Sequence, residues 1–300
     1  MVQNKILQSF RTVRSGIIQN SSPLGLIGLI TVSVIIILAI LAPWIVPHDP
    51  FKIDATNRLI PPFWVVDGSM NHILGTDHLG RDILSRLIYG GRVSLLVGFL
   101  SVLIAGVIGL FLGLISGYFG GTWIDQFIMR FVDAMLAIPT LLLVLVAIVV
   151  FEPGIVTLIL VIGLTSWAQY TRLVRGEVLS VKEREFVQSA TTLGASKGYI
   201  IRKHILPNVL SSFIVVSTIG IATAIMTESS LSFLGLGIQP PDITWGGMLN
   251  DGRNYIATSW WIATFPGLAI TITVLAITFL GDWLRDILDP KLKKGGDADE

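Results

Sequence analysis

The sequence predicts an all-α integral membrane protein with six transmembrane helices and both termini cytoplasmic. Three observations carry that prediction. Hydrophobic residues fill 52% of the 300 positions and charged residues only 14%, with a mean hydropathy of +0.76. Soluble domains carry about 25% charged residues, so the deficit is large. Six runs approach the ~20 apolar residues that a span requires: 24–45, 93–117, 131–151, 155–173, 209–229 and 260–281. Finally, Lys and Arg divide unevenly between the connecting segments. With both termini inside, fifteen fall on the inner side, seven of them between residues 172 and 203, and six on the outer side. The positive-inside rule fixes the orientation from that asymmetry.

The first run follows a basic tail with Lys5, Arg11 and Arg14 and no acid. It is longer than the core of a cleaved leader, so it reads as an uncleaved span. Between it and the second run, residues 72–94 place Leu79, Ile83, Leu84, Leu87 and Ile88 on one helical face. Thr76 or Asp77 is positioned to cap the start, and Gly90 to end it. The expectation is an amphipathic helix lying at the outer interface, with a docking surface as the functional alternative. The second run carries Ala105, Gly109, Gly113 and Gly117 at four-residue spacing. Such a stripe lets two helix backbones approach closely, within one subunit or between two.

Pro139 is expected to kink the third run, and Glu152-Pro153-Gly154 makes a tight turn before the fourth. Pro266 falls in the first turns of the sixth, where it is better tolerated. Trp44, Trp123, Trp260, Trp261 and Trp283 lie near span ends, as an interfacial aromatic belt requires. The outer segments 46–92 and 230–259 are too long for simple turns. The chain divides into a tail, first span and outer segment (1–92), a five-helix core (93–290) and a polar tail (291–300).

The residue inventory excludes much chemistry. Without cysteine there are no disulfides, thiolate metal sites or Cys nucleophiles. No two of the four histidines share a helix face at ligand spacing, so no metal site is expected. No lysine follows a glycine, so the phosphate loop is absent and nucleotide-driven work falls to another subunit. A net charge of +1 offers nothing to a nucleic acid. An ion-driven transporter needs buried charges in several spans, and an intramembrane enzyme needs a catalytic constellation. Only Glu228 and Asp133 sit inside apolar runs. Intramembrane acids face a cavity or a partner, so Glu228 is a candidate for the substrate pathway or for a helix cap. Asp133 is a weaker pathway candidate, because Arg130 three residues earlier is placed to pair with it.

The stretch SATTLGASKGYIIRKHILPN, residues 189–208, is polar and basic in an apolar chain. Ahead of it and within it, Phe186, Val187, Ala190 and Leu193 form one apolar stripe. Gly194 is suited to the left-handed stop and Ser196 to capping a second helix. There Tyr199, Ile200 and Ile205 should face the protein and Lys197, Arg202 and Lys203 should face out, with Pro207 closing the segment. A positive-inside loop with affinity for anionic lipid accounts for the charge. A rigid helix pair across the cytoplasmic face, a lever for a soluble motor, accounts for the punctuation as well.

The spacing from Ala190 and Gly194 to Leu206-Pro207 resembles the EAA loop of permease subunits of binding-protein-dependent ABC importers. LGTDHLGRDILSRLIYGGRVSLLVG (74–98) and ESSLSFLGLGIQPPDITWGGMLNDGRNY (228–255) are similar to the second permease of the oligopeptide/dipeptide importer family, which includes nickel and glutathione systems. The resemblance implies a type I importer fold and a coupling (EAA) loop at 183–207 that contacts the ATPase. It implies a homologous partner permease, two ATPases that hold ATP and Mg, and an extracellular solute-binding protein. It implies peptide as substrate, with nickel or glutathione as the alternative within the family, and no cofactor or covalent chemistry on this chain. Ala190, Gly194, Leu206 and Pro207 match the loop; Gln188 and Ser189 stand where the family often has Glu and Ala, and His204 where an apolar residue is usual.

Overall fold

A computed structural model describes residues 22–152 and 154–288. The basic N-terminal tail, Pro153 of the expected turn and the polar tail with Lys291, Lys293 and Lys294 lie outside the described residues. Ten α-helices follow in order among those described: α1 (Pro23–Ile45), α2 (Ile83–Tyr118), α3 (Trp123–Ala137), α4 (Thr140–Val150), α5 (Ile155–Lys182), α6 (Glu185–Thr192), α7 (Lys197–Ile200), α8 (Leu206–Phe233), α9 (Trp245–Gly252) and α10 (Trp261–Leu288). Five of them, with α7 and α8 read as one rod, are long and apolar enough to span a membrane. The bent pair α3–α4 makes a sixth if it counts as one span; its two halves meet at 85°. Pro139 sits at that break and starts α4, because proline lacks the N–H that would continue α3 and restricts the residue before it. The expected kink is thus a full break.

Helix α2 is the central rod. Gly109, Gly113 and Gly117 press against Tyr170, Val174 and Val178 of α5, with no room for a Cβ at any of the three. Lipid tails are as apolar as the side chains, so such pairs hold by close packing rather than by exclusion from water. The small-residue stripe therefore packs within the subunit. On another side of α2, Gly98 lies under Ile225 of α8. Gly25 and Gly28 seat α1 on α10, against Trp283, Phe279 and Ala276. The outward face of α1 carries exposed apolar side chains such as Ile30, Ile37 and Ile40, as a lipid-facing helix must.

The interface helix expected within 72–94 is not present. Asp82 caps α2 instead, its Oδ2 accepting the Ser85 N–H at 2.8 Å. The helix then runs through Gly90, which packs on Ile243 and Thr244 rather than ending anything. Thr76 and Asp77 belong to the loop before it. Apart from one 3₁₀ turn, Ala55–Asn57, residues 46–82 form turns pinned by long-range bonds. Among them are Asp54 N–H to the Leu79 carbonyl at 3.1 Å and Thr76 N–H to that of Ile60 at 2.9 Å. Local helical periodicity lost here to tertiary hydrogen bonding. Trp261 ties the layer to α10, its indole N–H donating to the Thr76 carbonyl at 3.0 Å. Arg81 adds ion pairs to Asp77 at 2.6 Å and Asp251 at 2.9 Å.

Candidate functional site

Two features stand out, and both are built on α5 and α8. The first is the lever at the end of the bundle where α5 and α7 meet. Gly194 ends α6 with φ +78°, and the Ala195 N–H reaches back to the Ala190 carbonyl at 3.1 Å. That pair of bonds and angles is the left-handed stop that Gly permits. Ser196 caps α7 through the Tyr199 N–H at 3.4 Å. Val187, Ile200, Ile205 and Val209 are buried with Val174, Val178 and Val181 in one cluster. The short helices are therefore cemented to α5 and to the foot of α8.

The outward surface of the lever differs from the expectation at Tyr199, which is exposed rather than turned to the protein. Leu193 of the apolar stripe is 87% exposed, and Phe186 is exposed with it. The rings of Phe186 and Tyr199 gather near His204, at 6.0 and 5.7 Å. Pro207 closes nothing. It lies in the first turn of α8, which continues from α7 through a π-turn over Ile201–Ile205. The Asn208 side chain satisfies the His204 carbonyl there at 2.7 Å. Gln188, Ser189, Lys197 and Arg202 are exposed, while Ala190 and Leu206 are half-buried. Gln188 donates to the Glu183 carbonyl at 3.2 Å. The segment thus exposes apolar Phe186, Leu193 and Tyr199 along with basic Lys197, Arg202 and Lys203 and acidic Glu183 and Glu185.

The second feature is a cleft of about 220 Å³ between α2, α4, α5 and α8. Thr165, Ser166 and Gln169 of α5 face Thr223 and Thr227 of α8 across it, with Tyr170 deeper in. Its floor is apolar, including Val102, Val144 and Ile162. Among the described residues, none that lines it is charged. A larger recess of about 330 Å³ lies between α1, α2 and α10, but its walls are almost wholly apolar. That wall would suit an acyl chain and gives nothing to orient a polar solute.

Glu228 does not open onto the cleft. It has 0% exposure and lies one residue past Thr227, on another face of α8. Ser232 donates to its Oε1 at 2.8 Å, and Ser229 and Ser94 donate to Oε2 at 3.3 and 3.4 Å. Ser94 also accepts the Trp245 N–H at 3.3 Å, so the carboxylate ties α2, α8 and α9 together. A buried acid needs such donors. Asp133 also departs from the expectation: Arg172 of α5 pairs with it at 2.5 Å instead of Arg130, and both side chains are more than half exposed. Beside it Arg175 holds Asp125, which Ser116 and the Gly121 N–H also reach, at 2.5 and 2.9 Å. Two arginines of α5 thus fasten α3.

This architecture has counterparts among known proteins. The family described as the binding-protein-dependent transport system inner membrane component matches residues 109–294. The N-terminal transmembrane domain of oligopeptide transport permease C matches residues 21–62. The chain belongs to the binding-protein-dependent transport permeases. The dipeptide transport system permease protein DppC of Haemophilus influenzae is 45% identical over 270 residues, 90% of this chain and 91% of the relative. The di/tripeptide transport system permease protein DppC of Pseudomonas aeruginosa is 42% identical, covering 91% and 89%. An inward-facing structure of the MetNI methionine ABC transporter aligns with a TM-score of 0.58 at 20% identity, covering 68% of this chain and 96% of that one.

This permease thus has the type I ABC importer fold and is a multi-pass protein of the bacterial inner membrane. It is a transporter component rather than an enzyme, and its family assembles it with ATPase and partner permease subunits. Family membership also sets aside the ion-driven alternative. What sequence reasoning missed is the α5–α8 cleft. Its signal was a run of Thr165, Ser166 and Gln169 in an apolar span, matched by Thr223 and Thr227 at four-residue spacing.

Proposed function

We propose that this permease carries peptides inward by alternating access, driven by ATP and Mg bound on the partner ATPases. The lever 183–207 seats in a groove of one ATPase, with Leu193, Phe186 and Tyr199 as apolar anchors and Lys197, Arg202 and Lys203 around them. The observation that carries this reading is shared support. The helices that cement the lever, α5 and α8, are the same two that present the polar walls of the cleft. A push on the lever moves the cleft walls without any further linkage.

The cleft suits peptides for a chemical reason. Thr165, Thr223 and Thr227 give their protons to carbonyls of their own helices, which leaves hydroxyl oxygens to accept from peptide N–H groups. Ser166 and Gln169 both donate and accept, and uncharged walls pass side chains of either sign without holding them. The relatives named for dipeptide and di/tripeptide transport support that substrate class. The partner permease completes the half-cleft, and an extracellular binding protein delivers the peptide to the face built from residues 46–82 and α9. The termini lie in the cytoplasm, as the charge asymmetry requires.

The test is uptake against ATP hydrolysis in the reconstituted complex. Leu193→Asp places a charge at the centre of the docking face without touching the buried cluster. Peptide uptake should fall while the permease still inserts and assembles with its partner permease. Unchanged uptake, with hydrolysis still stimulated by the loaded binding protein, would reject the lever.

A further inference from the structure

We propose that this chain carries a metal-binding site at the end of the bundle opposite the lever, formed by His48, His72 and Asp82 and selective for a borderline divalent ion such as Zn²⁺. The three come from the loop after α1, the loop before α2 and the cap of α2. Each offers a ligand atom, and these atoms lie within 4.8 Å of one another. The imidazole rings are 4.8 Å apart, centroid to centroid.

The hydrogen bonds fix what each ring presents. His48 Nε2 lies 2.6 Å from the Asn71 carbonyl oxygen, which only accepts, so Nε2 carries the proton and Nδ1 a lone pair. His72 Nδ1 lies 2.9 Å from Asp82 Oδ1; an ion bound by both atoms takes the place of the proton they share, and Nε2 then carries the ring proton. His48 is oriented as metal-bound histidines are, its second nitrogen donating to a backbone carbonyl. Asp82 is itself held, its Oδ2 accepting from the Ser85 N–H at 2.8 Å and hydroxyl at 2.7 Å. Imidazole with one carboxylate favours ions of the zinc class over magnesium or calcium.

A tetrahedral zinc with bonds of about 2.1 Å wants its donor atoms about 3.4 Å apart. The required closure is on the order of 1 Å, and His48 is the exposed member of the three, so a turn of its ring supplies it. The exposed side also leaves a position for water or another ligand. Asp77, His78 and Asp251 form a second group of similar size, but Arg81 and Arg86 already fill it with positive charge. When bound, the ion would clip the segment leaving α1 to the start of α2. The proposal does not rest on the transport reading.

The experiment is Zn²⁺ titration of the intact transporter in nanodiscs, purified without a polyhistidine tag. One saturable site per copy of this chain is expected, which His48→Ala, His72→Ala and Asp82→Asn each weaken at least about tenfold. His78→Ala should leave the affinity unchanged, and zinc held by other subunits survives every variant. Co²⁺ in the same site should give a visible absorption band that His48→Ala removes. Because His48 is exposed, that variant keeps its fold and decides alone. Affinity unaltered by His48→Ala, or no saturable site in this chain, overturns the proposal.

Discussion

Arg175 of α5 donates from Nε and Nη2 to the two carboxylate oxygens of Asp125 at 2.6 and 2.8 Å, a planar two-bond clamp that locks α3 beside the span bearing the cleft wall. Asp125 is 2% exposed, so its partner cannot be replaced by water. Arg175→Met strands the buried carboxylate and should cost about 2–4 kcal/mol, seen as a lower Tm of the purified permease. The double variant with Asp125→Ala should recover part of that loss. A double-mutant cycle with no coupling would show that the clamp does not fasten α3.

The lever makes a sharper claim. Gly194 has φ +78°, which proline cannot adopt. Gly194→Pro should therefore misdirect α7 and uncouple ATP hydrolysis from uptake while insertion is retained. Reversing Lys197, Arg202 and Lys203 together should do the same by repelling the ATPase. Gln188→Glu should be mild, since the side chain is exposed and only meets the Glu183 backbone and carboxylate. Normal coupling in both disruptive variants would remove the lever from the mechanism.

Burial decides what substitution at Glu228 should do. Glu228→Ala leaves three serine hydroxyls without their acceptor and should lower stability by about 2 kcal/mol, whereas Glu228→Gln keeps an acceptor and should be milder. Uptake of peptides with free and acetylated N-termini should drop equally, since the group does not face the cleft. Thr227→Val, by contrast, should slow uptake with little change in Tm. A selective loss for free N-termini in Glu228→Gln would return that carboxylate to the pathway.

Orientation is tested in the same Cys-free chain. Ser180, near the lever, and Asn254, just after α9, are both exposed and lie at opposite ends of the bundle. Single cysteines there should react with an impermeant maleimide on intact cells only at position 254. The opposite pattern would invert the arrangement.

The sequence by itself determined five of the spans, their order, and the Gly194 stop and Ser196 cap of the lever. Those features depend on quantities carried within one segment: twenty apolar residues, a glycine where φ must be positive, a serine before a helix. Tertiary structure decided everything that needed a distant partner. The helix expected over 72–94 fails because hydrogen bonds from Asp54, Ile60 and Trp261 capture its first half, and only Asp82 is left to start α2. Arg172, thirty-nine residues away, takes Asp133 from Arg130. Glu228 looked like a pathway acid because its donors Ser94 and Ser232 and the neighbouring Trp245 could not be seen to converge on it. His48, His72 and Asp82 have no ligand spacing along the chain; folding of the segment 46–82 onto α2 brings their atoms together. Periodicity reports which face of an element is apolar, but not what the fold will place against it.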